Sequence, residues 1–369
     1  MERVLVEYLT RSRHDWTIFT NHFSPSTTFP EFKKFRVVEL RRVPLTRTFP
    51  DLSRVAFTLL RQKLPLAGFD VLLVCTAGFG ELVALRSRVP KAVYCFTPLK
   101  VIHDPLIRSK FLKENPVKAP LFHLFERTYR FFEKLSWKRF SSFACDSEEV
   151  KRRIVAGGLA PASQVRVIYP GIDSSKMKPS RKKPEKLFLV PGRIGWTKNL
   201  ELAIDAFNEF QKSSPKFKDF RLVISGGVDK KSFSYLGHLR RHAVSNQSIR
   251  FEPNPSDKKY YSLYAGCFAV LFPAINEDWG IVPVEAMAFG KPVIAANQGG
   301  PQESVLNGKT GWHSEPSPAA FASLMKKLVS SPSLYRRFCK AAAKRAKDFD
   351  WNKFAQELDA EMEKLAGRT

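Results

Sequence analysis

The sequence lacks the long apolar segments of membrane-spanning and secreted proteins. No apolar run approaches the roughly 18 residues that a transmembrane helix needs. Residues 1–20 carry charges throughout, so they lack the uninterrupted apolar stretch of a signal peptide. We therefore expect the protein to be made and kept in the cytoplasm.

Cysteine is scarce, with five in 369 residues. The five are widely spaced, and neither a CxxC pair nor a Cys/His cluster has the spacing of a zinc site. An odd number in mostly apolar surroundings is typical of reduced core thiols rather than of a disulfide framework. The sequence therefore predicts no structural metal.

Acidic residues are few, at 35 against 61 Lys and Arg, which gives a net charge of +26. Residues 1–185 hold 34 basic and 17 acidic side chains, and residues 186–369 hold 27 and 18. Such a basic surface attracts phosphates, anionic lipid or nucleic acid. Because no nucleic-acid-reading motif is recognisable, a nucleic-acid-binding protein is the weaker alternative, and we expect no nucleic-acid partner.

Short apolar runs alternate with longer amphipathic segments, which predicts repeated β–α units and parallel sheets. In the first half, the predicted strands are 15–20, 36–40, 70–75, 92–95, 142–145 and 165–168, and the predicted helices are 52–64, 106–139 and 147–157. In the second half, the strands are 186–190, 221–225, 248–251, 268–272 and 292–295. The helices there are 200–212, 231–244, 257–265, 283–289, 318–329, 333–347 and 352–365.

The chain is long enough for two domains of about 150–200 residues each. The polar, highly charged stretch 174–185 is the best candidate linker. We therefore predict a first domain at 1–173, a second at 186–348 and a final helical segment at 349–369. Two doubly wound α/β domains of the Rossmann type that face a central cleft are the economical fold, with ligands at the carboxyl ends of the strands.

The strongest local feature is the segment 276–290, NEDWGIVPVEAMAFG, which follows the apolar run CFAVLF. Pro283 suits the first turn of a helix and Gly290 suits its end. The helix would then begin with unpaired backbone N–H groups at Gly280, Ile281 and Val282. Such a helix start is an anion site that fits a diphosphate.

Two carboxylates flank this helix start, Glu277 in the preceding loop and Glu285 in the predicted first turn. They could hold the two sugar rings of a nucleotide-sugar. The alternative is that Glu285 only complements the helix dipole and Glu277 is a solvated loop residue. The residues by themselves leave both interpretations open.

A second strand-to-helix loop lies at 190–199, VPGRIGWTKN. It carries Arg193 and Lys198, and two cations there could neutralise a leaving diphosphate. The alternative is a solvated basic loop. This alternative is a strong one, because the chain has 61 Lys and Arg residues.

Together these segments resemble the GT-B retaining glycosyltransferases of family 4, with mannosyltransferases among the most similar members. The resemblance covers nearly the whole chain. It is carried by IYPGID at 168–173, GRIGWTKN at 192–199, ISGG at 224–227, EDWGIVPVEAMAFGKPVIA at 277–295, GGPQE at 299–303, NGKTGW at 307–312 and FDW at 349–351.

The resemblance implies a role for each candidate residue. Arg193 and Lys198 would stabilise the donor diphosphate, Glu277 would contact the transferred sugar, and Glu285 would bind the ribose. The N–H groups near Gly280–Val282 would hold the phosphates. The resemblance further implies a first domain that binds the acceptor, a last helix that returns to it, and no cofactor or metal beyond the substrate, GDP-mannose or a UDP-sugar.

The first half departs from the family in two places. In YCFTPLK at 94–100, Phe96 stands where the family has a histidine, and Lys100 stands where it has an arginine. His103 lies nearby, although a lone histidine beside a turn is more often structural. The chain also begins at the helix that normally follows the first strand, so we expect a sheet that lacks this central strand and leaves two interior edges unpaired.

Residues 106–143 interleave Lys and Arg with Phe, Leu and Trp. Such a face could lie on an anionic membrane that holds a lipid-linked acceptor. The alternative is an ordinary helix with its aromatic residues in the core. We expect a peripheral protein at the inner face of the membrane.

The predicted activity is transfer of a hexose, with mannose slightly favoured, to a lipid-linked or other glycan acceptor. The alternative is an inactive GT-B homologue that acts as the partner of an active transferase. Phe96 and the missing strand favour that alternative, whereas the intact cations and carboxylates oppose it.

Overall fold

The computed structural model describes residues 1–44, 48–180 and 183–367. The chain forms two compact units. Unit 1 comprises Met1–Gly171 and Trp351–Thr369, and unit 2 comprises Ile172–Asp350. Each unit is an α/β structure with parallel strands, as the alternation of the sequence predicts.

In the residues that the structure describes, unit 1 contains six short parallel strands. They are β1 (Thr17–Thr20), β2 (Arg36–Glu39), β3 (Leu72–Thr76), β4 (Lys91–Cys95), β5 (Ser142–Cys145) and β6 (Val165–Val167). Each lies within one or two residues of the predicted strand. β4 and β5 are completely buried, as expected for parallel strands that are covered on both faces.

The strands of unit 1 form two separate sheets. β1 pairs with β2, and the other sheet has the order β3-β4-β5-β6. Ile18 of β1 and Leu73 of β3 contribute to the same hydrophobic cluster, yet no strand in the described ranges pairs with both β1 and β3. The arrangement agrees with the expected absence of a central strand.

Six helices of the described ranges accompany these strands. They are α1 (Glu2–Leu9), α2 (Phe49–Arg61), α3 (Lys100–His103), α4 (Pro105–Glu114), α5 (Ala119–Trp137) and α6 (Glu148–Ala156). The prediction of a single helix over 106–139 is wrong, because the chain turns at Asn115 and a 3₁₀ turn at Pro116–Lys118 separates α4 from α5. Proline at 116 cannot continue the hydrogen-bond ladder of α4, which accounts for the break.

The described part of unit 2 contains one parallel sheet of six strands. They are β7 (Leu187–Pro191), β8 (Arg221–Gly226), β9 (Ile249–Pro253), β10 (Ala269–Phe272), β11 (Val293–Ala296) and β12 (Gly311–Ser314). Their order is β12-β11-β10-β7-β8-β9. This is the strand order of a doubly wound Rossmann-type sheet, in which the direction of winding reverses between β7 and β10.

Seven helices within residues 172–180 and 183–350 cover this sheet. They are α7 (Leu200–Lys212), α8 (Phe233–His242), α9 (Asp257–Gly266), α10 (Ile281–Ala288), α11 (Pro301–Ser304), α12 (Pro318–Val329) and α13 (Pro332–Arg345). α7 and α12 have the predicted bounds, and the Ser317 side chain caps α12 by accepting a hydrogen bond from the Ala320 N–H. One core cluster packs Phe207 and Phe210 of α7 against Phe188 of β7.

The last helix, α14 (Trp351–Leu365), belongs to unit 1. Its Asp359 carboxylate accepts hydrogen bonds from the Tyr8 hydroxyl at 2.8 Å and from the Ser12 hydroxyl at 2.7 Å. The Glu361 carboxylate accepts one from Ser142 at 2.7 Å and pairs with Arg166. Buried polar contacts thus fix the end of the chain onto its beginning.

The candidate linker is not a free spacer where the structure describes it. Residues 172–180 belong to unit 2, and the Met177 side chain is buried. Residues 181 and 182 of the predicted linker lie outside the described residues. The described helices include none that is both long and apolar enough to cross a membrane.

Candidate functional site

The candidate site of unit 2 lies where the winding of its sheet reverses. β7 and β10 are neighbours in the sheet, with Ala269 opposite Phe188. The loop after β7 carries Arg193 and Lys198, and the loop after β10 carries Glu277. Since β7 and β10 are parallel, both loops emerge at the same sheet edge, which is where such folds bind their ligands.

Lys198 and Glu277 meet across these two loops. The Lys198 ammonium donates a hydrogen bond to the Glu277 carboxylate at 2.5 Å. The backbone also joins the loops, because the Ile275 N–H donates to the Thr197 carbonyl at 2.9 Å. The Lys198 and Glu277 side chains keep 14% and 24% exposure, so the pair is sheltered but reachable.

α10 begins beside this pair. Gly280 adopts φ +77° and ψ +79°, a left-handed conformation that favours glycine, and an added Cβ there would approach the Glu277 side chain to 3.2 Å. Among the described residues, no hydrogen bond uses the N–H groups of Gly280, Ile281 and Val282. The helix start therefore presents unused donors next to a paired ammonium group, an arrangement that suits a phosphate.

The position of Glu285 differs from the prediction. α10 starts at Ile281, two residues earlier than predicted, which places Glu285 in the second turn rather than in the first. The helix-dipole interpretation is correspondingly weaker, since the dipole acts mainly within the first turn. Instead, the Tyr264 hydroxyl donates a hydrogen bond to the Glu285 carboxylate at 2.7 Å.

Burial raises the pKa of the Glu285 carboxyl, and the hydrogen bond from Tyr264 opposes this effect only in part. Tyr264 is itself fully buried and stacks on Phe289, with ring centroids 5.4 Å apart. Sequence reasoning missed Tyr264. The contact between Tyr264 and Glu285 depends on how α9 packs against α10, and no sequence motif encodes it.

The structure does not bring Arg193 into this cluster. Its side chain is exposed, and the described residues offer no hydrogen bond to its guanidinium. A hydrogen bond from Ser232 and, to a smaller degree, the Arg193 charge hold the pKa of Asp229 below its ordinary value. The Arg193 charge thus acts on Asp229 in the loop after β8, and the inclusion of Arg193 in the site remains a prediction.

Glycines let the loops of unit 2 pack main chain against main chain. A Cβ added to Gly226 would lie 1.9 Å from the Gly192 carbonyl oxygen, and the Gly192 N–H donates to the Ser225 carbonyl at 3.0 Å. The Gly300 N–H likewise donates to the Glu277 carbonyl at 2.9 Å. The ISGG and GGPQE segments therefore hold the backbone of the two loops that carry Lys198 and Glu277.

In unit 1, Phe96 and His103 both have structural surroundings. Phe96 is buried and meets the Tyr94 ring edge-on at 5.1 Å. His103 Nε2 lies 2.8 Å from the Glu133 carboxylate, and both side chains are almost fully buried. Burial raises the pKa of Glu133, which the hydrogen bond to His103 opposes. His103 is therefore engaged in a buried pair, as expected for a structural histidine.

Within the described parts of the chain, no group of three or more His, Cys, Asp or Glu side chains has the arrangement of a metal site. The groups that the structure places together in unit 2 are the Lys198 ammonium, the Glu277 carboxylate and the N–H groups at the start of α10.

Two family descriptions match the chain. "Glycosyltransferase Family 4" matches residues 3–176, and "Glycosyl transferases group 1" matches residues 172–345. The two matches together cover both units, and the second includes every candidate site residue.

Several curated proteins are similar to part of the chain. The alpha-1,3/1,6-mannosyltransferase ALG2 of Dictyostelium discoideum is 33% identical over 208 residues, which are 53% of this chain and 49% of that protein. ALG2 of Mus musculus is 34% identical over 188 residues, 48% of this chain and 45% of that protein. The D-inositol 3-phosphate glycosyltransferase of Streptomyces bingchenggensis is 27% identical over 57% of this chain and 50% of that protein. The chain spans about half the length of the curated relatives it matches.

Solved structures extend the likeness to the whole chain at the level of fold. Alr3699/HepE of Anabaena, crystallised with UDP, has a TM-score of 0.75 at 18% identity and covers 98% of this chain and 96% of its own. The sucrose-phosphate synthase of Thermosynechococcus elongatus has a TM-score of 0.76 at 18% identity and covers 100% of this chain and 93% of its own. With two family matches that follow one another along the sequence and a shared fold, the chain belongs to family 4 of the glycosyltransferases, with the GT-B fold.

Proposed function

We propose that the protein is a retaining hexosyltransferase that moves a sugar from a nucleotide diphosphate sugar to a lipid-linked or other glycan acceptor. The observation that carries this proposal is the contact between Lys198 and Glu277 beside the start of α10. A cation, a carboxylate and unused backbone donors meet at the sheet edge where ligands of this fold bind.

Each group has a defined task in this reaction. The N–H groups of Gly280, Ile281 and Val282 hold the diphosphate, and Lys198 and Arg193 stabilise the charge that develops on it as the bond to the sugar breaks. Glu277 orients the sugar hydroxyls, and Glu285 binds the ribose. The new bond from the sugar carbon to the acceptor oxygen forms on the face of the sugar from which the phosphate leaves, and the leaving phosphate takes the acceptor proton. The protein contributes positioning and electrostatic stabilisation.

Mannose is the favoured sugar. The relatives that are at least 32% identical in three organisms are alpha-1,3/1,6-mannosyltransferases. We therefore favour GDP-mannose as donor over UDP-sugars, and no further cofactor is required. The acceptor, at the inner face of the membrane, would reach a protein that carries 34 Lys and Arg against 17 Asp and Glu in its first 185 residues.

The test is a panel of radiolabelled GDP-mannose, UDP-glucose and UDP-N-acetylglucosamine, each offered with membrane extract. We expect transfer of label from GDP-mannose into a lipid or glycan fraction, with loss of that transfer in Glu277→Gln. The proposal would be overturned if label stayed in the nucleotide-sugar for every donor and calorimetry also detected no donor binding.

A second candidate is an inactive GT-B homologue that serves an active transferase. Phe96 favours it, because this buried phenylalanine cannot donate the hydrogen bond that a histidine would give to a donor sugar. The same panel separates the two functions. Donor binding without hydrolysis or transfer would indicate the inactive partner.

A further inference from the structure

Helix α5 has an unusual division between its two faces. Its inward face holds two buried glutamates, Glu126 and Glu133, among the buried Phe122, Tyr129 and Trp137. Both carboxylates are satisfied there. Glu126 accepts from Arg108 at 2.9 Å and Arg130 at 3.0 Å, and Glu133 pairs with His103.

The outward face of α5 holds the apolar residues that a surface helix normally buries. The exposed residues are Leu121, Leu124, Phe131 and Leu135, which are 52%, 63%, 64% and 38% exposed. Their spacing of three, seven and four residues brings them onto one stripe of the helix. We call these four residues the α5 stripe.

Exposed apolar residues concentrate around this stripe. Thirteen large hydrophobic side chains are exposed in the described residues, and six of them fall between positions 106 and 135. Val117, at the turn before α5, is 92% exposed. A contiguous apolar surface of this kind marks an interaction site, whereas single exposed apolar residues do not.

The charges next to the stripe have one sign. Arg127, Lys134, Lys138 and Arg139 are all exposed. The only acidic residues between positions 119 and 139 are the two buried glutamates. Lys134 lies about two helix turns beyond Arg127, and Lys138, at the C-cap, lies about one turn beyond Lys134, so these cations run along the same side of the stripe.

We propose that the α5 stripe and its flanking cations dock on an anionic lipid bilayer. The apolar side chains would enter the acyl boundary while the Lys and Arg groups stay at the level of the lipid phosphates. A protein partner would have to supply a dense acidic rim around an apolar groove, whereas a bilayer with anionic headgroups supplies both features over any area. This inference deepens the proposed function, since it names the surface that would bring unit 1 to a lipid-linked acceptor.

The apolar part of the proposal is tested by flotation of the full chain with vesicles. Wild type and Leu124→Gln/Phe131→Gln are compared on vesicles with about 30% phosphatidylserine and on phosphatidylcholine alone. We expect the double variant to lose at least about tenfold in affinity for the anionic vesicles, because two inserted side chains are removed. The matched control is Phe233→Gln/Val244→Gln, which replaces two exposed apolar residues of unit 2 and should bind as wild type does.

The electrostatic part is tested in the same way. Arg127→Gln/Lys134→Gln/Lys138→Gln should weaken vesicle binding by at least about tenfold at low salt. Its control, Arg336→Gln/Arg337→Gln/Lys340→Gln, removes three exposed cations from α13 of unit 2 and should have little effect. Far-UV circular dichroism and Tm establish that each variant is folded.

Three outcomes overturn the proposal. The first is that the folded wild type does not bind anionic vesicles at low salt. The second is that both control variants lose as much affinity as the α5 variants. The third is that wild type is a dimer that Phe131→Gln dissociates, which would make the α5 stripe an interface between copies. Vesicle binding is measured without donor. The vesicle assay and the calorimetric assay of donor binding are therefore independent. The docking result can be interpreted even if the protein proves to have no transferase activity.

Discussion

Unit 2 and unit 1 share one kind of architecture but differ in how completely it is built. In unit 2, six parallel strands form one sheet, and the loops after β7 and β10 are joined by side-chain and main-chain hydrogen bonds. In unit 1, two strands and four strands form separate sheets, and the family histidine position holds the buried Phe96. The features expected of donor chemistry are concentrated in unit 2.

The contrast extends to buried charge. Glu285 in unit 2 accepts a hydrogen bond from one neutral side chain, the Tyr264 hydroxyl. Glu133 and Glu126 in unit 1 are held by histidine and arginine partners. Burial raises the pKa of both Glu285 and Glu133, so the two units differ in the partners of their buried carboxylates and not in the direction of the pKa shift. A buried carboxylate held by a neutral hydroxyl suits a functional site, whereas one held by cationic partners is typical of a structural network. Four substitutions test this difference between the units.

The largest effect is expected from Gly226→Ala. The new Cβ would clash with the Gly192 carbonyl oxygen at 1.9 Å, and Gly226 has φ +154°. We expect a loss of about 4 kcal/mol in the free energy of unfolding, from overpacking and backbone strain together. Hydrogen exchange would detect it as faster exchange in peptides of unit 2. Gly227→Ala is the control, since an added Cβ there meets nothing within 4 Å; equal losses in the two variants would contradict the packing argument.

Lys198→Ala should affect chemistry more than stability. Loss of the ammonium group beside the diphosphate is expected to lower kcat by about 10²–10³-fold, as for other electrostatic groups that act in the transition state. Turnover with the donor identified in the panel measures this. Lys186→Ala breaks an exposed lysine–carboxylate pair of the same unit, Lys186 with Asp219 at 3.0 Å, and should leave kcat unchanged. Full turnover in Lys198→Ala would contradict the assignment of the transfer chemistry to this site of unit 2.

His103→Ala tests unit 1. Removal of the imidazole leaves the Glu133 carboxylate buried without its partner, which should cost about 3 kcal/mol. Donor affinity of unit 2, measured by calorimetry, should not change. His123→Ala on α5, the helix that carries Glu133, is the control, since the His123 side chain is 52% exposed. A loss of turnover in His103→Ala at unchanged stability would instead assign His103 to the site.

The smallest effect is expected from Glu285→Gln, and its two parts have opposite signs. Burial raises the Glu285 pKa, so wild type loses stability as the pH rises through the ordinary carboxyl pKa and then the raised one. The variant escapes this loss, so its Tm should exceed that of wild type at neutral pH and match it below about pH 4. KM for the donor should rise about tenfold if the ribose contact is lost.

The exposed Glu315→Gln serves as the control for that change and should alter neither Tm nor KM. A Glu285→Gln variant with lower Tm at neutral pH would show that the carboxylate stabilises the fold, contrary to its raised pKa.

Much of the fold could be predicted from the sequence, because alternation of apolar runs fixes parallel β–α units. The predicted helices 200–212 and 318–329 coincide with α7 and α12. Strand β12 was missed, since Gly311–Ser314 at the edge of the sheet has no apolar run. Loops after β7 and β10 were expected at one sheet edge, and the Lys198–Glu277 contact agrees with that expectation.

Other features could not be predicted because they depend on tertiary packing. The hydrogen bond from Tyr264 to Glu285 joins two helices, and no local spacing encodes it. The α5 segment showed its mixture of basic and aromatic residues, but the sequence did not indicate that Glu126 and Glu133 face inward while Leu124 and Phe131 face outward. The partners that neutralise the two glutamates come from α3, α4 and α5 itself.

The main-chain contact between Gly192 and Gly226 has a consequence for altering this protein. A Cβ at Gly226 has no volume beside the Gly192 carbonyl oxygen, so randomisation at Gly226 would yield mostly unfolded clones. Gly192 has room for a Cβ, but its φ of +124° is a backbone conformation that favours glycine. Arg193, one residue from Gly192, has an exposed side chain, so its replacement carries no packing penalty, although it would remove a cation that the proposed function assigns to the diphosphate. A library intended to change donor preference should therefore hold both glycines and Arg193 constant.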